Sequence, residues 1–220
     1  MQKLDSRLAA CAAYLQQGKT VADVGCDHGK LTAYLAQNGF SVIGTDINEK
    51  PLEKARQTCL AANCMDKVSL RQGDGLDTLA PMEAQQIVIA GVSAETILHI
   101  LDSASWVQTK GIRLVLCPAT KLPLLRKELC SRGFELLDET PVLAAGRCYS
   151  VLCVEYTGIV TRPDGEFCLI GKSESKPYSK QLWDDTAIKL EKQLRGLVGT
   201  PQEPEVRRLL QWLKDLSLTK

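Results

Sequence analysis

Histidine is scarce in this sequence: only His28 and His99 occur in 220 residues. The nine cysteines are an odd set without a C-x-x-C pair. Together these leave a structural zinc centre little to be built from, and no metal is expected. Most of the cysteines sit in apolar runs, Cys117 ending Leu-Val-Leu-Cys and Cys153 inside Val-Leu-Cys-Val, as small buried hydrophobes do. Free thiols in that number point to a reducing, cytoplasmic compartment. Charge of one sign is missing too. With 27 basic and 26 acidic side chains and a net charge of +1, there is no molecule-wide basic field, so any nucleic-acid surface has to be a local patch. There is no internal repeat and no low-complexity tract. The apolar run from Leu8 to Leu15 is short, is preceded by Asp5 and Arg7, and is followed by no recognisable cleavage region, so it reads as a helix with Leu4, Leu8, Cys11 or Ala12, and Leu15 on one face. No membrane partner is expected.

Also absent is G-x-G-x-x-G, the glycine spacing that opens a diphosphate-binding helix. In its place stands Val21-Ala-Asp-Val-Gly-Cys-Asp-His-Gly-Lys-Leu31, a buried strand, a tight turn and a helix start. Gly25 admits backbone angles closed to other residues, and Gly29 is expected to let the turn pass close to a ligand. Asp27 stands where a dinucleotide loop has glycine, and Asp23 precedes the turn. Acids there suit a cationic ligand, one carrying an ammonium and a sulfonium, better than a diphosphate. The bland alternative is an ordinary strand-to-helix turn with incidental glycines.

The rest of the chain repeats the strand-then-helix unit. Gly18 stops the first helix. A helix from Lys30 ends at Asn38-Gly39, a strand runs Phe40 to Asp46, and a helix follows with Asn48 as a plausible cap and Pro51 in its first turn. Strand three is Val68 to Arg71, strand four Gln86 to Gly91 with a helical pattern from about 95 to 106, and strand five Ile112 to Cys117 with a helix around 124 to 131. That alternation predicts a parallel sheet covered on both faces. The ending differs: Phe134 to Leu143 and Cys148 to Tyr156 are joined by Ala-Ala-Gly-Arg, too short for a helix, so this pair is antiparallel. Residues 157–178 read as a connector with a turn at Thr161-Arg-Pro-Asp-Gly165. Beyond it, Trp183, Ala187, Leu190, Leu194 and Leu197, then Val206, Leu209, Leu213 and Leu216, form two heptad-like stripes, predicting an antiparallel helical hairpin packed like a coiled coil. The expected division is 1–157 and 158–220.

Three acids fall at the carboxyl ends of three successive parallel strands, the sheet edge where ligands bind. Asp23 ends strand one. Asp46 is placed to accept hydrogen bonds from ribose hydroxyls, with a helix cap as its alternative. Asp74, in Gly73-Asp-Gly75, is placed to accept from an adenine amino group while a neighbouring backbone amide donates to the ring; a plain turn is its alternative. His28 lies beside Asp27 and is either a structural hydrogen-bonder or a functional group. Trp106, Trp183 and Trp212 read as core or hairpin packing. The cations of the tail, among them Lys189, Lys192, Arg195, Arg207 and Arg208, are interleaved with acids as on a solvated face, with an RNA-facing side as the alternative.

The first loop resembles the first motif of class I S-adenosylmethionine-dependent methyltransferases. The resemblance sharpens over residues 4–156: Leu4-Asp-Ser-Arg-Leu8, Ala22-Asp-Val-Gly-Cys-Asp-His28, Asp46 with Pro51-Leu52, Gly73-Asp-Gly-Leu76, Ile87-Val-Ile-Ala-Gly91, Cys117-Pro118, Leu125-Arg126 and Tyr149 occur in the order seen in the tRNA adenine-N1 methyltransferases that modify position 22. That resemblance implies a Rossmann-like α/β fold with a seven-stranded sheet, a terminal antiparallel strand and a C-terminal coiled-coil-like hairpin. It also implies S-adenosyl-L-methionine as cofactor and tRNA as partner. The implied donor-binding residues are Asp23, Gly25, Cys26 and Gly29 after strand one, Asp46 and Ile47 after strand two, Gly73, Asp74 and Gly75 after strand three, and Ala90 and Gly91 after strand four. Asp27, His28 and Arg7 are the implied catalytic or substrate-positioning set. Two departures stand out: the family's Gly-Met-Gly-Gly after strand four is Gly91-Val-Ser-Ala94 here, and its Gln-Pro after strand five is Cys117-Pro118. The first adds Cβ atoms where backbone approaches substrate. A small-molecule methyltransferase and a catalytically silent RNA-binding scaffold on the same fold are the rival expectations.

Overall fold

The structure, a computed structural model, describes residues 4–219; positions 1–3 and 220 of the two expected segments lie outside the described residues. Helix α1 (Ser6–Ala13) is capped by Asp5, whose carboxylate accepts from the amides of Arg7 and Leu8. Strands β1 (Val21–Val24), β2 (Val42–Asp46), β3 (Val68–Gln72), β4 (Gln86–Ala90) and β5 (Arg113–Cys117) are separated by helices α2 (Lys30–Gln37), α3 (Glu49–Ala61) and α4 (Ala94–Ser103), with no helix of that kind between β3 and β4. After β5 come α5 (Leu122–Ser131), β6 (Phe134–Ala144) and β7 (Arg147–Tyr156). The seven strands form one sheet in the order β3-β2-β1-β4-β5-β7-β6. β7 runs antiparallel between β5 and β6. The tight connection between β6 and β7 places Ala145 (φ 48°) and Gly146 (φ 73°) in the left-handed region, as a two-residue hairpin turn requires.

The central strands are continuous apolar runs because both faces are covered. Along β4 the side chains of Ile87 and Ile89 enter one hydrophobic cluster, with Ile97 and Leu101 of α4 and Leu125 of α5. Val88 enters the other, with Leu35 of α2, Cys11 of α1 and Val151 of β7. β5 repeats this split with Leu114 and Leu116 against Val115 and Cys117. All nine cysteines are free and seven are buried.

Several sequence expectations are corrected. Asn48 occupies the cap position of α3 without a side-chain cap bond; Asp46 Oδ1 instead accepts from the Asn48 amide at 3.0 Å, so the strand-end acid closes the turn. β2 starts at Val42, two residues after Phe40, and α4 ends at Ser103 before a separate 3-10 turn at Ser105–Val107. The connector contains a helix, α6 (Gly165–Ile170), capped by Asp164 through the Phe167 amide at 2.7 Å. The hairpin is α7 (Ser179–Arg195) and α8 (Glu203–Thr219), as the stripes indicated. It is seated on the rest of the molecule: Leu169 and Ile170 of α6, Leu122 of α5 and Cys148 of β7 pack into the same cluster as Trp183, Leu190, Leu209 and Leu213. Trp183 is fully buried and donates through Nε1 to Ser173 Oγ at 2.9 Å.

Candidate active site

The register fixes the site. Val24 of β1 pairs with Thr45 of β2 on one side and with Ile89 of β4 on the other, so the three strands end at nearly one level. Asp46 at the end of β2 pairs with Gln72 at the end of β3. Above this edge opens a cavity of about 490 Å³, walled by the loops that leave β1 to β4 and by the start of α1. It lies at the carboxyl ends of the parallel strands, where open α/β sheets bind ligands.

Of the expected residues, Arg7, Asp23, Gly25, Cys26, Asp27, His28, Asp46, Ile47, Gly73, Asp74, Gly75, Ala90 and Gly91 all line this cavity. Gly29 is not on its wall. A Cβ at Gly29 would stand 2.8 Å from Cα and Cβ of Ala55, so the absence of a side chain here lets the start of α2 pack against α3. Gly75 is similar in part, since a Cβ there would press on Ile100 of α4 at 3.0 Å.

Asp23 is buried, and Thr32 Oγ1 of α2 donates to its Oδ2 at 2.6 Å. Burial pushes its carboxyl up to about 6, against the lowering effect of the Thr32 hydroxyl and amide. Asp46 is tied down by the loops on both sides: the Asp27 amide donates to its Oδ2 at 3.3 Å and the Asn48 amide to its Oδ1 at 3.0 Å. The amides of Gly25 and Cys26 both donate to the Thr45 carbonyl, which locks the first loop to the end of β2. Cys26 lines the cavity and also belongs to a small buried cluster with Leu52 and Ala55, and burial raises the pKa of its thiol. Asp27 has φ 48° and an exposed carboxylate, and Asp74 is an exposed lining residue.

His28 faces solvent beside two opposite charges. Its Nε2 lies 3.3 Å from Lys54 Nζ and 3.5 Å from Asp27 Oδ1, so the same nitrogen can accept from the lysine when unprotonated or face the carboxylate when it carries the proton. Arg7 is held by Asp5 at 2.9 Å, which keeps its guanidinium charged, and its Cζ lies 5.0 Å from the centroid of the Tyr149 ring. Its Nε is buried with no partner among the described residues.

Besides Val24, Lys30, Leu31 and Ile89, which neighbour the expected residues in sequence, the wall includes Leu8, Thr45, Val92, Thr96 and Ile100, which sequence reasoning missed. Position offered a signal for Thr45, the penultimate residue of β2; nothing in the local pattern marked the others. In the Gly91-Val-Ser-Ala94 loop, Ser93 caps α4 by accepting from the Thr96 amide at 3.2 Å, and Ala94 is buried in the core. Of the Cβ-bearing residues there, Val92 alone reaches the cavity.

A seven-stranded, mostly parallel sheet closed by an antiparallel strand, with acids on three successive strand ends, defines a methyltransferase fold. Residues 4–152 match the methyltransferase-domain family, and the chain belongs to it. It is 34% identical over 155 residues to the tRNA (adenine(22)-N(1))-methyltransferase of Bacillus subtilis strain 168, covering 70% of this chain and 65% of that protein. The chain thus spans slightly less than two thirds of that curated relative. Among solved structures, Streptococcus pneumoniae Sp1610 in complex with S-adenosyl-L-methionine superposes with a TM-score of 0.84 at 26% identity, over 98% of this chain and 100% of that one. The Bacillus subtilis m1A22 tRNA methyltransferase TrmK superposes with a TM-score of 0.79 at 26% identity, over 99% and 97% of the two chains. Among the described residues no helix is long and apolar enough to cross a membrane, and no group of three or more His, Cys, Asp or Glu side chains is placed to hold a metal ion.

Proposed function

We propose that this protein transfers the methyl group of S-adenosyl-L-methionine to N1 of an adenine in tRNA, position 22 being the expected target. The observation that carries this reading is the single cavity in which Asp23, Asp46 and Asp74, from three successive strand ends, meet Asp27, His28 and Arg7. The names of the relatives agree with it. The donor set fits the cofactor: a buried carboxylate, Asp23, for the ammonium, a fixed one, Asp46, for ribose hydroxyls, and an exposed one, Asp74, for the adenine amino group. When bound, the cofactor supplies an electrophilic methyl group on a sulfonium.

What the protein has to add is modest. N1 of adenine carries an in-plane lone pair, so attack needs orientation more than a strong base. The product ring is cationic, and the Asp27 carboxylate at the mouth is suited to stabilise the developing charge. Arg7, with its unpartnered Nε, and His28 are suited to hold the nucleotide or its phosphate. An adenine within folded tRNA must also leave its stack, which calls for grip at several points. The experiment is incubation of the purified protein with labelled donor and total tRNA, followed by analysis of nucleosides: label in 1-methyladenosine supports the reading, and label confined to small molecules supports the rival small-molecule enzyme.

A further inference from the structure

A second cavity, of about 370 Å³, lies where the hairpin meets the sheet. It falls in the range of about 300–1,000 Å³ usual for small-molecule sites. Its walls come from the β5–α5 connection, the start of β7 and one face of α7. The floor is apolar, made by Pro118, Leu169, Leu182 and Leu190, with Thr186 among them. The rim is basic: Lys121, Arg147 and Lys189 are exposed around it.

Two features separate this groove from an ordinary crevice. The first is charge. Elsewhere on the hairpin Lys214 is paired with Glu191, Arg207 with Glu203, and Arg208 with Glu205 and Glu166, while Lys192 and Arg195, which do not line this groove, make no ion pair among the described residues. On this rim Lys121 is paired with Glu95, but Arg147 and Lys189 make no ion pair among the described residues. The nearby Asp185 takes a hydrogen bond from Gln181 at 2.9 Å. The second is continuity with the cofactor cavity. Tyr149 is in the wall of the groove, and its ring is approached by Arg147 at 6.0 Å and by Arg7, a lining residue of the other cavity, at 5.0 Å.

An apolar slot bordered by unpaired cations suits a planar base with its phosphate outside. We propose that this groove is a second nucleotide subsite, holding a base of the RNA next to the one that is methylated, with phosphate on Arg147 and Lys189. It rests on the reading of tRNA as substrate. It gives the hairpin a defined role: α7 supplies one wall, so the grip extends from the cofactor cavity across Tyr149 to the tail.

The test uses the full-length protein and bulk tRNA. Affinity is measured at several salt concentrations for the wild type, Arg147→Gln, Lys189→Gln and the slot-filling Thr186→Phe, with donor affinity and methyl transfer measured on the same samples. Each cation variant should bind tRNA roughly three- to tenfold more weakly near physiological salt, with a salt slope reduced by about 0.7–0.9. Donor affinity should not change. Thr186→Phe, provided it melts like the wild type, should weaken tRNA binding without changing the slope, because it obstructs the base and leaves the phosphates where they were. Wild-type affinity and slope in both cation variants overturns the proposal, even if methyl transfer to tRNA is intact. Reduced slopes together with no methyl transfer by the wild type instead overturn the activity reading and leave the groove as an RNA site. A polyglutamate peptide that competes with tRNA at equal charge concentration, and is equally sensitive to Thr186→Phe, assigns the groove to an acidic protein and also overturns the proposal.

Discussion

At the scale of single residues, the carboxylates at the strand ends differ in what holds them, and that difference makes them separately testable. Asp46 is fixed by two backbone amides before any ligand arrives. Asp46→Ala should therefore weaken donor binding by roughly 1–3 kcal/mol, by leaving ribose hydroxyls unpaired and loosening the first loop. Calorimetry on the variant checks this, and an unchanged affinity removes Asp46 from the site. Asp23 has a pH signature. Its folded pKa, about 6, lies above the ordinary 3.8, so the folded state holds the proton more tightly. The resulting stability is fully present below pH 3.8 and is lost as pH rises through 6, amounting to about 3 kcal/mol for a shift of this size. Asp23→Asn should remove that loss, seen as urea unfolding less dependent on pH between 4 and 7. A bound ammonium favours the ionised form, so donor affinity in the wild type should fall as pH drops through 6. Affinity independent of pH from 5 to 8 contradicts a contact between Asp23 and the ammonium.

The elements show where sequence was informative and where it was silent. Strand ends were legible because a continuous apolar run closing on Asp or Gly is a local pattern: β1, β2, β4 and β5 each begin or end within two residues of their expected limits. The hairpin turn was legible because Ala145-Gly146 leaves room for nothing longer. Helix α6 was not, because its six residues follow Pro163-Asp164 and resemble a turn. The packing role of Gly29 was not legible either, because sequence shows that a Cβ is absent but not what it would have struck; Ala55 lies 26 residues on. Likewise Leu125-Arg126 gave no hint that Arg126 is buried against Glu139 of β6, with its guanidinium also donating to the Cys168 and Leu169 carbonyls of α6 at 2.7 Å. This buried pair joins α5, the sheet and the connector. Glu139→Ala should cost about 3–5 kcal/mol in urea unfolding, since it strands a buried charge. Replacing both partners by apolar residues should recover much of that. Gly29→Val should be destabilising by about 1–3 kcal/mol through its clash with α3.

For the molecule as a whole, near-zero net charge means that RNA binding depends on where cations remain unpaired. On the proposed reading, phosphate contacts fall on the unpaired Arg147 and Lys189 where the hairpin meets the sheet and extend to Lys192 and Arg195 further along α7. Because α6 and β7 share a cluster with α7 and α8, the tail and the methyltransferase-like domain form one packed body, and excising the tail would uncover apolar surface. Charge-neutralising substitutions are the cleaner probe. Neutralising Lys189, Lys192 and Arg195 together should flatten the salt dependence of tRNA binding by about 0.7–0.9 for each phosphate no longer neutralised, with donor affinity retained, whereas a hairpin that serves only packing leaves the slope unchanged. The central claim, that the acid-lined cavity transfers methyl groups to adenine N1 in tRNA, is tested most directly by mapping where label goes. Purified protein is incubated with methyl-labelled S-adenosyl-L-methionine and total tRNA, the tRNA is digested, and the nucleosides are separated. The account predicts label in 1-methyladenosine, lost in Asp46→Ala at subsaturating donor. Label in another nucleoside, or none in tRNA from a protein that binds the donor, contradicts it.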